Sequence, residues 1–123
     1  TYLGRTFDPA WLNSIEAWSR VHDYLTLDTT HWATFGIDPV KPLHAAGERV
    51  RHIHLSNYDG REHRLPQSGD KDLGAFLREL PAMNFTGTVS VEVHPDALAF
   101  ETPKVTRRKL RETLDFCREH LNG

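Results

Sequence analysis

Sulfur is scarce in this chain: among 123 residues there is one cysteine, Cys117, and one methionine, Met83. A lone thiol cannot close an internal disulfide and fits a reducing cytoplasm, the expected location. It also leaves out the thiolate cage that would single out zinc. Positive charge is not in excess, with 15 Lys and Arg against 17 Asp and Glu, a net charge of -2 and a pI near 6.4. Nucleic-acid binding through phosphate neutralisation needs a basic face, so no nucleic-acid partner is expected. No run approaches the roughly 18 apolar residues of a membrane span. The opening "TYLGRTFDPAW" lacks the basic and apolar regions of a signal peptide, so no membrane or export role is expected. Linkers, repeats and low-complexity tracts are also missing. Residues 1–123 therefore read as a single domain, large enough for one modest core.

What is present is a regular alternation of helix and strand, together with eight histidines. "FDPAWLNSIEAWSRVH" opens with Asp8-Pro9, a cap followed by proline at the first helical position, and places Trp11, Leu12, Ile15 and Trp18 at helical spacing. "DYLTLD" follows as a strand. "GIDPVKPLHAAGER" repeats the Asp-Pro start at Asp38-Pro39 and stops at Gly47. "VRHIHLSN" is the second strand, and "YDGREHRLPQSGDKD" the one long loop. "LGAFLREL" is helical, with Leu73, Phe76, Leu77 and Leu80 on one side, and "TVSVEVHP" is the third strand. The last helix starts at Thr102-Pro103 and runs to Gly123, with Leu110, Leu114, Cys117 and Leu121 as its apolar stripe. Strands separated by helices of this length predict βαβ units and a parallel sheet.

Side chains alternate faces along a strand, so each strand can be split in two. Leu25 and Leu27 oppose Thr26 and Asp28; Ile53 and Leu55 oppose His52 and His54; Val89, Val91 and Val93 oppose Ser90 and Glu92. Strands of an open sheet with helices on both faces should be apolar throughout. One apolar and one polar face fits a barrel better, with helices outside and a polar lumen. Ordinary (β/α)₈ interiors are filled with branched apolar residues, so polar residues near the strand ends mark a site.

Asp28, His54 and Glu92 lie on that polar face, near the carboxyl ends of successive strands, where parallel βα architectures carry their active sites. A lone histidine there would mean little. Three ligand-type side chains in one register, on strands roughly 4.8 Å apart, can converge on one ion. Two carboxylates left together without a cation would instead force one of them to hold its proton. The donor set is mostly oxygen and suits Mn²⁺, Mg²⁺, Co²⁺ or Zn²⁺. His31, one turn beyond Asp28, is either a ligand for a second metal or a substrate hydroxyl, or a surface-loop histidine. His63 sits in the long loop, a usual place for substrate contacts. His52 reads as support or core; His22, His44, His94 and His120 read as structural or solvated. Trp32, Phe35 and Tyr58 follow strand ends and serve either a pocket wall or helix packing.

The stretches "LTLDTTHW", "VRHIHLSNYDGREHRLPQSGDKDLGAFLREL" and "FTGTVSVEVHP" resemble the last three βα units of the xylose-isomerase-like TIM barrels, over residues 7–121. That superfamily holds sugar and sugar phosphate isomerases and epimerases, together with the endonuclease IV type of AP endonuclease. The resemblance implies a metal held by Asp, His and two Glu. Asp28, His54 and Glu92 match three of those places, His31 the histidine of the Asp-x-x-His motif, and His63 the loop histidine. The segment after it reads Gln67-Ser68-Gly69, without the first glycine of the family's Gly-x-Gly pattern. A (β/α)₈ barrel takes about 250 residues, so the expected fold class is α/β, the C-terminal three βα units of a (β/α)₈ TIM barrel, with the N-terminal strands and their Glu elsewhere.

The implied function is a metal-dependent isomerase or epimerase of a sugar or sugar phosphate, working through an enediolate. In it Glu92 is both a ligand and half of the acid–base pair. The alternatives are an endonuclease IV-like enzyme, which the net charge and the Arg61-Glu62 pair before His63 disfavour, and a non-catalytic barrel remnant. The chain alone is expected to be inactive. Its open strand edges predict self-association or pairing with the missing barrel half.

Overall fold

A computed structural model describes residues 14–122. The Asp8-Pro9 start of the first helix, with Trp11 and Leu12, lies outside them, as does Gly123. The helices are α1 (Ile15–Ser19), α2 (Thr29–Thr34), α3 (Val40–Ala46), α4 (Leu73–Ala82) and α5 (Pro103–Asn122). The strands are β1 (Leu25–Asp28), β2 (Val50–Leu55) and β3 (Thr88–Val91), and two 3₁₀ turns cover Gly47–Arg49 and Pro95–Leu98. All three strands are parallel, in the order β1-β2-β3. No helix among the described residues is long and apolar enough to cross a membrane.

Local side-chain chemistry caps the helix starts. Ser14 and Asp72 accept backbone N–H bonds from Ala17 and Ala75 at 3.2 and 2.9 Å, each cap worth about 1 kcal/mol. Asp38 accepts from Val40 N at 3.0 Å beside Pro39, and Gly47, at φ 58°, closes α3 in a backbone region that other residues rarely enter. One helix was not expected. Directly after the strand end at Asp28 the chain turns into the six-residue α2, which Asp28 caps.

The strand alternation carries over into burial. Leu27, Ile53 and Leu55 have no exposed surface, and they meet Trp32, Leu43, Phe76, Leu77 and Leu80 from the helices. Trp32 belongs to this core, its ring edge-on to Trp18 at 5.4 Å, so of its two readings helix packing holds. On the other face Thr26 is exposed and His52, His54 and Ser90 are half-buried.

Two expectations need correction. β3 stops at Val91 rather than Pro95, although Glu92 N still donates to Leu55 O at 3.0 Å, one rung beyond the strand. Past Glu92 the backbone is drawn off, since His94 N donates to His63 O at 2.8 Å. The stripe of α5 is buried only in part: Cys117 and Thr113 face inward, while Leu110 and Leu114 are 39% and 45% exposed. Helical spacing defines a face, and α4 covers only the later turns of it through Cys117 and the flanking Phe116 and Leu121. Burial pushes the Cys117 thiol up, away from its reactive thiolate form.

Candidate metal centre

Asp28 does two jobs at the end of β1. One oxygen, Oδ1, accepts from His31 N at 3.0 Å and caps α2. That bond fixes the carboxylate's orientation and leaves the other oxygen free of it. The strand register then does the rest. Asp28 pairs with His54 on β2 and His54 with Ser90 on β3, so Glu92 follows on the same side as Ser90, two residues on.

Asp28, His54 and Glu92 each bring one ligand-type atom to within 4.8 Å of the others. His54 Nδ1 lies 3.0 Å from Glu92 Oε2. Neighbouring ligands held at about 2.1 Å from one ion at right angles sit roughly 3 Å apart, so this pair already has the spacing of adjacent ligands. The side chains of His54 and Glu92 are 30% and 46% exposed, which leaves an approach from solvent. Two carboxylates and one imidazole are a hard, anionic donor set fitting Mn²⁺, Mg²⁺, Co²⁺ or Zn²⁺. His52 supports His54: the rings stand edge-on at 4.7 Å, and His52 Nε2 lies 2.8 Å from Ser90 Oγ across the strands.

The structure does not bring His31 and His63 into that trio. The His31 ring stands edge-on to Trp32 and Phe35 at 5.5 and 5.2 Å, beside the site. His63 has φ 57°, a left-handed conformation that costs energy for a non-glycine residue. It lines an open groove of about 420 Å³ together with Glu92, His94 and Leu110, and so faces the same space as one member of the trio. Its Nδ1 lies 3.0 Å from Ser56 Oγ.

Four polar residues that the sequence reading passed over build the floor beneath the site. Thr29, Thr30, Ser56 and Asn57 are each at most 2% exposed. Thr29 Oγ1 donates to Ser56 O at 2.6 Å and accepts from Ser56 N at 3.0 Å, tying the start of α2 to the end of β2. Asn57 organises the loop after it. Its Nδ2 donates to Pro66 O and Lys71 O at 3.1 and 2.9 Å, and its Oδ1 accepts from Tyr58 N and Lys71 N at 2.8 and 3.0 Å. Gly69 lies against that amide, where a Cβ would come 2.6 Å from Asn57 Cγ. Gln67, at the place of the missing glycine, accepts from Thr113 Oγ1 at 3.2 Å and links the loop to α5. The signal for these residues was a cluster of hydroxyls and an amide directly after two strands, "DTT" and "LSN".

Three of the remaining histidines hold local structure. His44 Nε2 lies 2.9 Å from a Glu79 oxygen, His94 Nδ1 accepts from Asp96 N at 3.1 Å, and His120 donates from Nδ1 to Phe116 O at 2.8 Å. In the loop, Arg61 binds Asp59 at 3.0 Å, and that guanidinium holds the Asp59 carboxyl below the usual carboxylate range.

Comparison with known proteins agrees with this architecture. The chain matches the xylose isomerase-like TIM barrel family over residues 1–120. It is 32% identical over 103 residues to an uncharacterized protein of Mycobacterium leprae, and 30% identical over the same length to uncharacterized proteins of Mycobacterium bovis and Mycobacterium tuberculosis. Each of these alignments takes in 81% of this chain and 36% of the relative, so the chain spans about a third of the length of the curated relatives it matches. No solved structure matches. The matched family includes isomerases, epimerases and AP endonucleases, and divalent metals and sugar substrates are common in it. With three parallel βα units in register and a family match over nearly its whole length, this chain belongs to the xylose isomerase-like TIM barrel family.

Proposed function

We propose that this chain is part of a metal-dependent sugar or sugar phosphate isomerase or epimerase, with Asp28, His54 and Glu92 as ligands of one divalent ion. The observation that carries the reading is their convergence within 4.8 Å at the carboxyl ends of three adjacent parallel strands. Bound there, a divalent cation supplies Lewis-acid stabilisation for the negative charge that develops when an α-hydroxy carbonyl loses a proton. The chain's own groups do the remaining work. Asp28 is oriented by its cap, and Glu92, half-exposed at the groove, holds or moves the proton at its carboxylate oxygen. On this reading His63, which lines the groove with Glu92, and His31 serve substrate hydroxyls or a second cation. The other carboxylate of an acid–base pair belongs, on this reading, to the rest of a longer barrel. Residues 1–123 form one partial-barrel unit that pairs with the rest or with a second copy. The location we propose is cytoplasmic.

Metal content tests the ligand assignment. The purified chain should carry about one Mn, Co or Zn per molecule by elemental analysis, and Asp28→Asn should lose it. Equal retention in the variant sinks the assignment. For the reaction, the full-length protein in D₂O should exchange deuterium into the carbon beside the sugar carbonyl. No exchange across a broad sugar and sugar phosphate panel, together with nicking of abasic DNA, would move the reading to the endonuclease.

A further inference from the structure

The buried relay behind His63 decides which of its nitrogens is free. Thr30 Oγ1 lies 3.0 Å from Asn57 O and 2.7 Å from Ser56 Oγ, and Ser56 Oγ lies 3.0 Å from His63 Nδ1. A carbonyl oxygen only accepts, so the single hydrogen of Thr30 goes to Asn57 O. Thr30 must then accept from Ser56, which spends the single hydrogen of that hydroxyl. Ser56 can only accept from His63, so Nδ1 carries the proton. Any other arrangement leaves one of these three contacts without a hydrogen. Asn57 O also accepts from Arg64 N at 2.8 Å, so the choice rests on the 3.0 Å approach of Thr30 Oγ1 to that carbonyl, which is repulsive unless Thr30 donates. Thr30 and Ser56 are each 1% exposed, so water is kept from their hydroxyls, and the backbone of Ser56 is pinned to Thr29. The strained backbone of His63, at φ 57°, is held by His94 N donating to its carbonyl at 2.8 Å.

We infer that Thr30 and Ser56 are positioning residues that lock neutral His63 as its Nδ1–H tautomer, leaving the lone pair of Nε2 as the atom His63 offers to a ligand in the groove it shares with Glu92. In that form His63 accepts a hydrogen bond from a hydroxyl or binds a cation; it does not donate to a carbonyl or phosphate oxygen. The use of this atom on a sugar hydroxyl rests on the function proposed above, but the tautomer does not.

Two-bond ¹H–¹⁵N correlation spectra of the ¹⁵N-histidine-labelled chain, at a pH where the ring is neutral, read the tautomer directly. His63 should show a protonated, pyrrole-type Nδ1 and a pyridine-type Nε2. Thr30→Val removes the acceptor for the serine hydrogen, which then turns to His63, and the two nitrogens should exchange their shifts. Ser56→Ala should release the lock and Ser56→Thr restore it. A wild-type ring protonated at Nε2, or a tautomer unchanged in folded Thr30→Val, overturns the inference. Neither result touches the metal content that tests the proposed function, and loss of metal in Asp28→Asn leaves the tautomer where it is.

Discussion

On the helix-covered side of the sheet, Leu27, Ile53 and Leu55 are sealed completely; on the opposite side of the same strands, Thr26 is exposed and His52, His54 and Ser90 keep part of their surface open. The two faces are one residue out of step along identical backbone. Burial of each of the three apolar side chains contributes about 1.5–3 kcal/mol, so the first face holds the fold together. The second is held by cross-strand polar contacts, His52 to Ser90 and His54 to Glu92, whose side chains remain within reach of solvent. Core packing and ligand-type polar groups are thus divided between alternate residues.

The sharpest way to break that comparison is to cut each face in turn. Ile53→Ala should cost about 2–5 kcal/mol in denaturant unfolding, because the cavity it leaves lies among residues with no room to collapse. His54→Ala, its neighbour on the open face, should cost about 1 kcal/mol or less while removing bound metal. Equal destabilisation by both would mean that the polar face is structural after all.

The floor beneath the site should behave as an intermediate case. Asn57→Ala leaves the Pro66 carbonyl and the N–H groups of Tyr58 and Lys71 without their partner, while the Lys71 carbonyl keeps Leu73 N at 3.0 Å. A loss of about 1–3 kcal/mol is expected for each such group that stays buried, with faster amide exchange across residues 58–71. Gly69→Ala should reproduce part of this, since its methyl would strike Asn57 and its φ is 135°.

Smaller effects are expected at the surface. Each outer strand has one unpaired edge among the described residues, and Leu110 and Leu114 lie open on α5. Replacing both leucines with Gln should leave unfolding within about 0.5 kcal/mol of wild type while lowering self-association in light scattering. A chain that is monomeric before substitution would remove the reason for that test. The smallest effect belongs to the exposed Asp59–Arg61 pair. Arg61 holds the Asp59 carboxyl low, so whatever the pair contributes is present above the ordinary carboxylate pKa and fades as pH falls through the lowered one. Arg61→Gln should raise the Asp59 midpoint in an NMR titration with almost no change in unfolding, because the pair lies at the surface.

Much of the fold was legible in the residue pattern. Alternation along "LTLD" and "HIHL" predicted the sealed and open faces, whereas in the edge strand "TVSV" Val89 and Val91 are only partly buried. Leu73, Phe76, Leu77 and Leu80 of α4 are all buried as their spacing implied. The shared face of Asp28, His54 and Glu92 followed from the same alternation. Other features were hidden because they depend on partners distant in sequence. Thr29 and Thr30 gave no signal beyond following a strand, yet their hydroxyls are spent on Ser56 and Asn57, more than twenty residues away. Leu110 and Leu114 looked like core, yet helical spacing cannot show where α4 stops covering α5.

By itself the sequence determined the period of each element, its caps, and which side chains share a face, since these depend only on backbone geometry and near neighbours. Tertiary structure alone decided how far those faces are covered, that His54 and Glu92 meet at 3.0 Å while His31 stays apart, and in which direction the hydrogens of Thr30, Ser56 and His63 run. Those outcomes depend on strand register and on counting donors against acceptors in a buried space, and neither exists until the chain has closed on itself.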